Sequence, residues 1–101
     1  MTTTPFRALE AEALATMTPD ERARFDAALE EEEARLRLAE LVYDARTSAG
    51  LTQTALAERM GTRQSVISAI ENGAQVPTFG MLRRIARALD RDLTIELAQA
   101  G

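Results

Sequence analysis

Residues 51–73, Leu51-Thr52-Gln53-Thr54-Ala55-Leu56-Ala57-Glu58-Arg59-Met60-Gly61-Thr62-Arg63-Gln64-Ser65-Val66-Ile67-Ser68-Ala69-Ile70-Glu71-Asn72-Gly73, read as two short helices joined by a glycine turn. Thr52 is placed to cap the first, and Leu56, Ala57 and Met60 then share one face of a 3.6-residue period. Ala57 falls where the helices should approach most closely, so it must be small. Gly61 supplies the positive φ that the turn requires. Thr62 is expected to cap the second helix, with Val66, Ile67 and Ile70 inward and Arg63, Gln64, Ser65, Ser68 and Ala69 outward. Asn72-Gly73 ends it.

Working outward, Gln75-Val76-Pro77-Thr78 reads as a loop closing on a cap, followed by an amphipathic helix through Phe79, Leu82, Ile85, Ala86 and Leu89. Asp92-Leu93-Thr94-Ile95-Glu96-Leu97 then alternates polar with apolar, the period of a short strand. A lone strand is unstable, which points to pairing with its copy across a dimer axis; an extended or helical tail is the other reading. Upstream, Thr18-Pro19-Asp20-Glu21 is a strong helix start: a capping threonine, proline at the first helical position, and Glu21 placed to complete a capping box. From there to about Ser48 neither glycine nor a further proline intervenes, so the run forms one long helix or two. Its imperfect apolar stripe, Phe25, Ala28, Leu29, Leu36, Ala39, Leu41, Val42 and Ala45, is interrupted by Glu30-Glu31-Glu32-Glu33. Four successive helical positions face about 100° apart, so this tetrad cannot be buried on every side and marks a solvated joint. Residues 1–17, with Phe6, Leu9, Leu14 and Met17 scattered, are expected to be disordered or a frayed helix.

At 101 residues and 46% hydrophobic the chain carries one modest domain, but alanine fills 19 of the apolar positions and aromatics make up only 4%. The core must be small and helical. Without cysteine there is no disulfide or thiolate site, and without histidine no ordinary base at neutral pH and no imidazole ligand. Neither catalytic residues nor a metal or other cofactor is expected; paired carboxylates within Glu30–Glu33 point different ways and have no pocket around them. With no membrane-length apolar run and no signal pattern, the reading is cytoplasmic, with no membrane partner.

Charge is uneven along the chain. Residues 1–40 hold ten acids against five arginines, whereas residues 41–101 hold six acids against seven arginines, in a total of −4. The acidity therefore lies outside the two-helix motif.

The motif resembles the helix-turn-helix of the phage-repressor-like family that includes Cro, the lambdoid repressors and many antitoxins. Gly50-Leu51-Thr52-Gln53 before it, and Glu71-Asn72-Gly73 with Pro77, Leu82, Ala86 and Leu89 after it, extend the likeness from about Leu36 to Leu93. The resemblance implies double-stranded operator DNA as a partner. It places Gln53 on a phosphate and Arg63, Gln64, Ser65 and Ser68 on base edges, with Thr62 and Asn72 in the same DNA-facing set. The chemistry is compatible: Gln pairs two ways with adenine, Arg with guanine, and Ala69 suits a thymine methyl. It also implies that Arg46 pairs with Glu71, which would explain a carboxylate near a helix C-terminus. With Ala57 and Gly61 these form the structural set. A domain near +1 holds DNA weakly as a single copy, so a homodimer is expected.

An acidic front, this motif and an alternating tail together resemble HigA-type antitoxins, which implies a small basic ribonuclease toxin as partner. Phe25, Leu29, Glu32 and Leu36 are the candidate toxin-binding residues, apolar side chains for a groove and acids for its arginines. The expected fold is all-α: a five-helix helix-turn-helix domain at 36–91, an acidic extension at 1–35, partly disordered or helical, and a C-terminal strand or tail at 92–101. Two alternatives stand beside the antitoxin: a lone phage-type or chromosomal repressor, and a helix-turn-helix module that binds protein.

Overall fold

The computed structural model describes residues 11–12 and 15–100; Phe6, Leu9 and Leu14 lie outside the described residues. The chain divides into two units, Met1–Glu33 and Ala34–Gly101. Four complete helices occur among the described residues: α1 (Pro19–Ser48), α2 (Gln53–Met60), α3 (Gln64–Glu71) and α4 (Phe79–Ala88).

α1 begins as its sequence dictates. The Glu21 amide donates to Thr18 Oγ1 at 3.2 Å and the Thr18 amide to Glu21 Oε2 at 3.4 Å, the reciprocal bonds of a capping box. The run is one helix, so the expected joint at Glu30–Glu33 is not a break: with no glycine or internal proline to stop it, the backbone continues and all four carboxylates are exposed. Between residues 36 and 91 there are four helices, counting the end of α1, where five were expected. Within the first unit Phe25 is half-buried and Leu29 exposed.

In the second unit Ala39, Val42 and Arg46, at offsets of three and four, form the buried stripe of α1. Val42 joins Leu56, Ala57, Ile67, Ile70, Ile85 and Leu89 in a core that Ala45, Leu51, Met60, Val66, Met81 and Leu82 flank. The outer side of the stripe is wet: Leu36, Leu41 and Tyr43 are exposed. Phe79 is also exposed, because α4 starts a turn before the core does.

Helix ends are set locally. Thr52 and Thr78 accept from the Ala55 and Met81 amides at 3.0 and 3.1 Å, capping α2 and α4. α2 stops where Gly61 turns to φ +68°; the Gly61 amide donates to Glu58 O at 3.1 Å and the Thr62 amide to Ala57 O at 2.9 Å, a Schellman motif. α4 ends in the same way through Asp90 (φ +55°), with Arg91 N–H on Ala86 O at 2.8 Å, and Asp is among the few non-glycine residues that adopt this conformation. Two arginines tie the neighbouring ends together. Arg59 donates to Ala88 O at 3.2 Å and Arg84 to Met60 O at 2.7 Å, each serving the other helix's last carbonyls.

A methyl at Gly61 would meet nothing within 4 Å, so the cost of Gly61→Ala is conformational alone. The substitution is expected to lower unfolding free energy by about 1–2 kcal/mol, the cost of a left-handed L-residue, as measured by urea titration. A change of sign would mean that the turn re-forms with negative φ.

The expected strand at 92–97 is absent: residues 91–100 carry neither helix nor strand, since a ladder needs a second strand and this chain offers none among the described residues. No helix among the described residues is long and apolar enough to cross a membrane.

Candidate nucleic-acid interface

The core decides which way α3 faces. Ile67 and Ile70, at most 1% exposed, fix its inner side, and the opposite side carries Arg63, Gln64 and Ser65, all exposed, with Ser68 and Ala69 half-buried at its margin. Thr62 does not cap this helix. The helix starts one residue later, with Arg63 as the extended N-cap residue (φ −98°, ψ 146°) and no side-chain cap bond, while the Thr62 amide closes α2. Arg63 has no ion pair among the described residues. Asn72 accepts the Ala74 amide on Oδ1 at 2.8 Å, an Asx turn that occupies its acceptor.

Beneath this face lies a buried ion pair. Arg46 donates through Nε to Glu71 Oε2 at 2.6 Å and through Nη2 to Oε1 at 2.7 Å, a bidentate fork between α1 and the end of α3. Nη1 reaches Leu51 O at 2.8 Å, and the guanidinium lies 5.3 Å from the Tyr43 ring centroid. The side chains of Arg46 and Glu71 are only 10% and 5% exposed. Burial by itself would push the Glu71 carboxyl up, but hydrogen bonds from Arg46 and Gln53 and the guanidinium charge outweigh it and hold the group below the usual carboxylate range. The same hydrogen bond raises Arg46 above its ordinary value against the opposing effect of burial.

The pair continues to the surface through two glutamines. Gln53 Nε2 donates to Glu71 Oε1 at 3.2 Å, and Gln64 Nε2 donates to Gln53 Oε1 at 2.7 Å. Because the carboxylate can only accept, Gln53 must turn its amide nitrogen inward and its carbonyl oxygen toward Gln64. Gln64, exposed, donates one N–H and has its second N–H and its carbonyl oxygen left for other partners. That is the donor-and-acceptor pair with which glutamine matches an adenine edge.

The sequence reading anticipated the Arg46–Glu71 pair and missed both glutamine bonds. The available signal was positional: Gln53 and Gln64 are each the first residue of consecutive helices in a tight turn, where side chains from the two starts converge.

A short helix held on a buried ion pair, its polar side outward and preceded by a capped helix across a glycine corner, defines the class of helix-turn-helix modules. The helix-turn-helix family matches residues 42–95, more than half the chain, and the chain belongs to that family in its phage-repressor, Cro-like form, a family of DNA-binding transcription regulators. It is 44% identical over 52 residues, 52% of this chain and 75% of the other, to an uncharacterized HTH-type transcriptional regulator of Methanothermobacter thermautotrophicus. It is 37% identical over 73 residues, 72% of this chain, to the antitoxin HigA1 of Mycobacterium tuberculosis, of which it spans about half the length (49%). To the ImmF control region 10 kDa protein of Bacillus phage phi105 it is 36% identical over 59 residues, 58% of this chain and 66% of that protein. No solved structure matches it significantly.

Proposed function

We propose that the protein is a cytoplasmic, sequence-specific transcriptional repressor that binds operator DNA as a homodimer and also acts as an antitoxin, its acidic N-terminal segment neutralising a small basic ribonuclease. The carrying observation is the chain of bonds from Arg46 through Glu71 and Gln53 to Gln64. It orients a base-reading amide on an exposed helix before any DNA is present, and such preorganisation reduces the ordering cost of binding. Arg63, Ser65 and Ser68 read neighbouring edges in this proposal, Gln53 adds a phosphate contact, and Thr62 and Asn72 flank them.

The antitoxin role has separate support. The whole of residues 42–101 is shorter than the 73 residues alike in HigA1, so that likeness reaches back before Val42 into α1. In the first unit Leu29 and Glu32 are exposed downstream of the half-buried Phe25, and in the second unit Leu36 is exposed. Exposed apolar residues beside acids suit a basic partner with an apolar groove. The lone-repressor reading shares the DNA face and lacks the toxin.

Selection of bound duplexes from a random pool tests the reading. The expected product is a two-fold site with half-sites about 34 Å apart, one helical turn, bound more weakly as salt rises. Recovery of random sequence only would leave no sequence-specific repressor. Purification from the native host is expected to bring down a small basic protein, and its absence would leave the lone repressor.

A further inference from the structure

α4 carries Arg83, Arg84 and Arg87, and Arg91 follows it. Their surroundings divide them. Arg84 donates to Met60 O and so joins α4 to the end of α2. Arg83, Arg87 and Arg91 are exposed and, among the described residues, make no side-chain hydrogen bond or ion pair. They stand four residues apart, as does Phe79 before them, so ring and cations form one stripe at steps of about 6 Å along the helix. The folded chain gains nothing from either: like charges at this spacing destabilise a helix, and Phe79 stays 60% exposed.

Phe79, Arg83, Arg87 and Arg91 line a cleft of about 430 Å³ together with Asp92 and Leu93, where the chain leaves α4. That volume lies in the ordinary range for a small-molecule site. None of its lining belongs to α2 or α3, so it is separate from the candidate nucleic-acid face.

We infer that this cleft binds a nucleoside di- or triphosphate, its base stacked on Phe79 and its phosphates on Arg83 and Arg87. The order along the stripe is the order within such a ligand: a flat ring first, then, about 6 Å and about 12 Å further along, cations for the phosphates. A guanidinium presents parallel N–H groups that match phosphate oxygens two at a time, and base-on-aromatic stacking tolerates any base. Asp92 is the one carboxylate in the lining. It follows Arg91 directly, at the end of the stripe away from the ring, so Arg83 and Arg87 are the cations that take the phosphates. An acidic protein segment would also meet the arginines, but a stable protein partner needs about 20–30 residues of surface on each side, far more than this cleft offers.

Fluorescence anisotropy of ATP labelled with a methylanthraniloyl group on its ribose, added to the full-length protein at one fixed salt concentration, tests the site. Unlabelled ATP and GTP are expected to displace the label alike, inorganic triphosphate less well, and AMP at least about tenfold less well for want of a second phosphate. Arg83→Gln and Arg87→Gln should each weaken ATP binding about tenfold or more. Phe79→Ala should weaken it about 5- to 150-fold, the worth of one stacked base, and leave affinity for inorganic triphosphate unchanged. All three side chains are exposed, so these variants should fold as the natural chain does. Equal displacement by inorganic triphosphate and ATP, with Phe79→Ala neutral, would reduce the cleft to a simple anion site and overturn the nucleotide. Stronger displacement by polyglutamate or by scrambled duplex would make the stripe a contact for a protein acid or a DNA backbone, and would overturn it too. So would an absence of binding at millimolar ATP. None of these outcomes bears on whether Gln64 reads DNA.

Discussion

Glu71→Ala is expected to lower the unfolding free energy by about 3–5 kcal/mol, the usual cost of removing one member of a buried ion pair. The loss comes from what remains. Arg46, 8% exposed, would keep Leu51 O as an acceptor at 2.8 Å and lose both bonds to Glu71, leaving a guanidinium out of water with one of its three hydrogen bonds. Replacing both partners, as in Arg46→Met with Glu71→Leu, removes the stranded charge and is expected to fall within about 1–2 kcal/mol of the natural chain, or above it. Urea titrations of the single and double variants measure the difference. A single variant no worse than the double would show that the pair is not desolvated in solution.

The same pair sets a dependence on pH. Because the folded-state pKa of Glu71 is depressed, its contribution to stability is complete above the ordinary carboxylate value of about 4.5 and is lost as pH falls through the folded value. The natural chain should therefore lose stability on acidification below about pH 4.5 more steeply than the Met/Leu double variant. Parallel acid profiles would contradict this.

What the sequence disclosed, and what it withheld, follows from the range of the forces concerned. Thr18 with Glu21, Thr52, Thr78 and Gly61 were readable because a cap bonds within three or four residues and a left-handed turn strongly favours glycine. The inward set Leu56, Ala57, Ile67 and Ile70 was readable from period alone. Thr62 misled because two local rules competed for it: it precedes a helix, but it is also the residue after a Schellman glycine, one position before the N-cap that Arg63 occupies. The single length of α1 was left open since a charge run weakens an amphipathic stripe without breaking a backbone. Phe79 matched the period of α4 but lies beyond the reach of the core. The bonds from Gln53 to Glu71 and from Gln64 to Gln53 span eighteen and eleven residues, so only the packed fold brings them together.

Those two bonds give the second large expected effect. Gln64→Ala should cost about 1–3 kcal/mol of discrimination for the selected operator, about 5- to 150-fold in the ratio of specific to random-duplex affinity, with random binding nearly unchanged. Gln64 is exposed and contributes no core packing, so truncation removes the edge contact and its one bond to Gln53, which Glu71 still holds from the other side. Gln53→Ala should behave differently. It removes the proposed phosphate contact and frees the Gln64 amide to rotate, so affinity for random duplex falls together with discrimination. Fluorescence anisotropy with operator and scrambled duplex at one fixed salt concentration separates the two outcomes, because affinity without its salt condition carries no meaning here. If Gln64→Ala weakened both duplexes alike, its amide would be a backbone contact. If it weakened neither, α3 would not be the helix that reads the groove, and the ordered glutamines would serve only to hold Glu71.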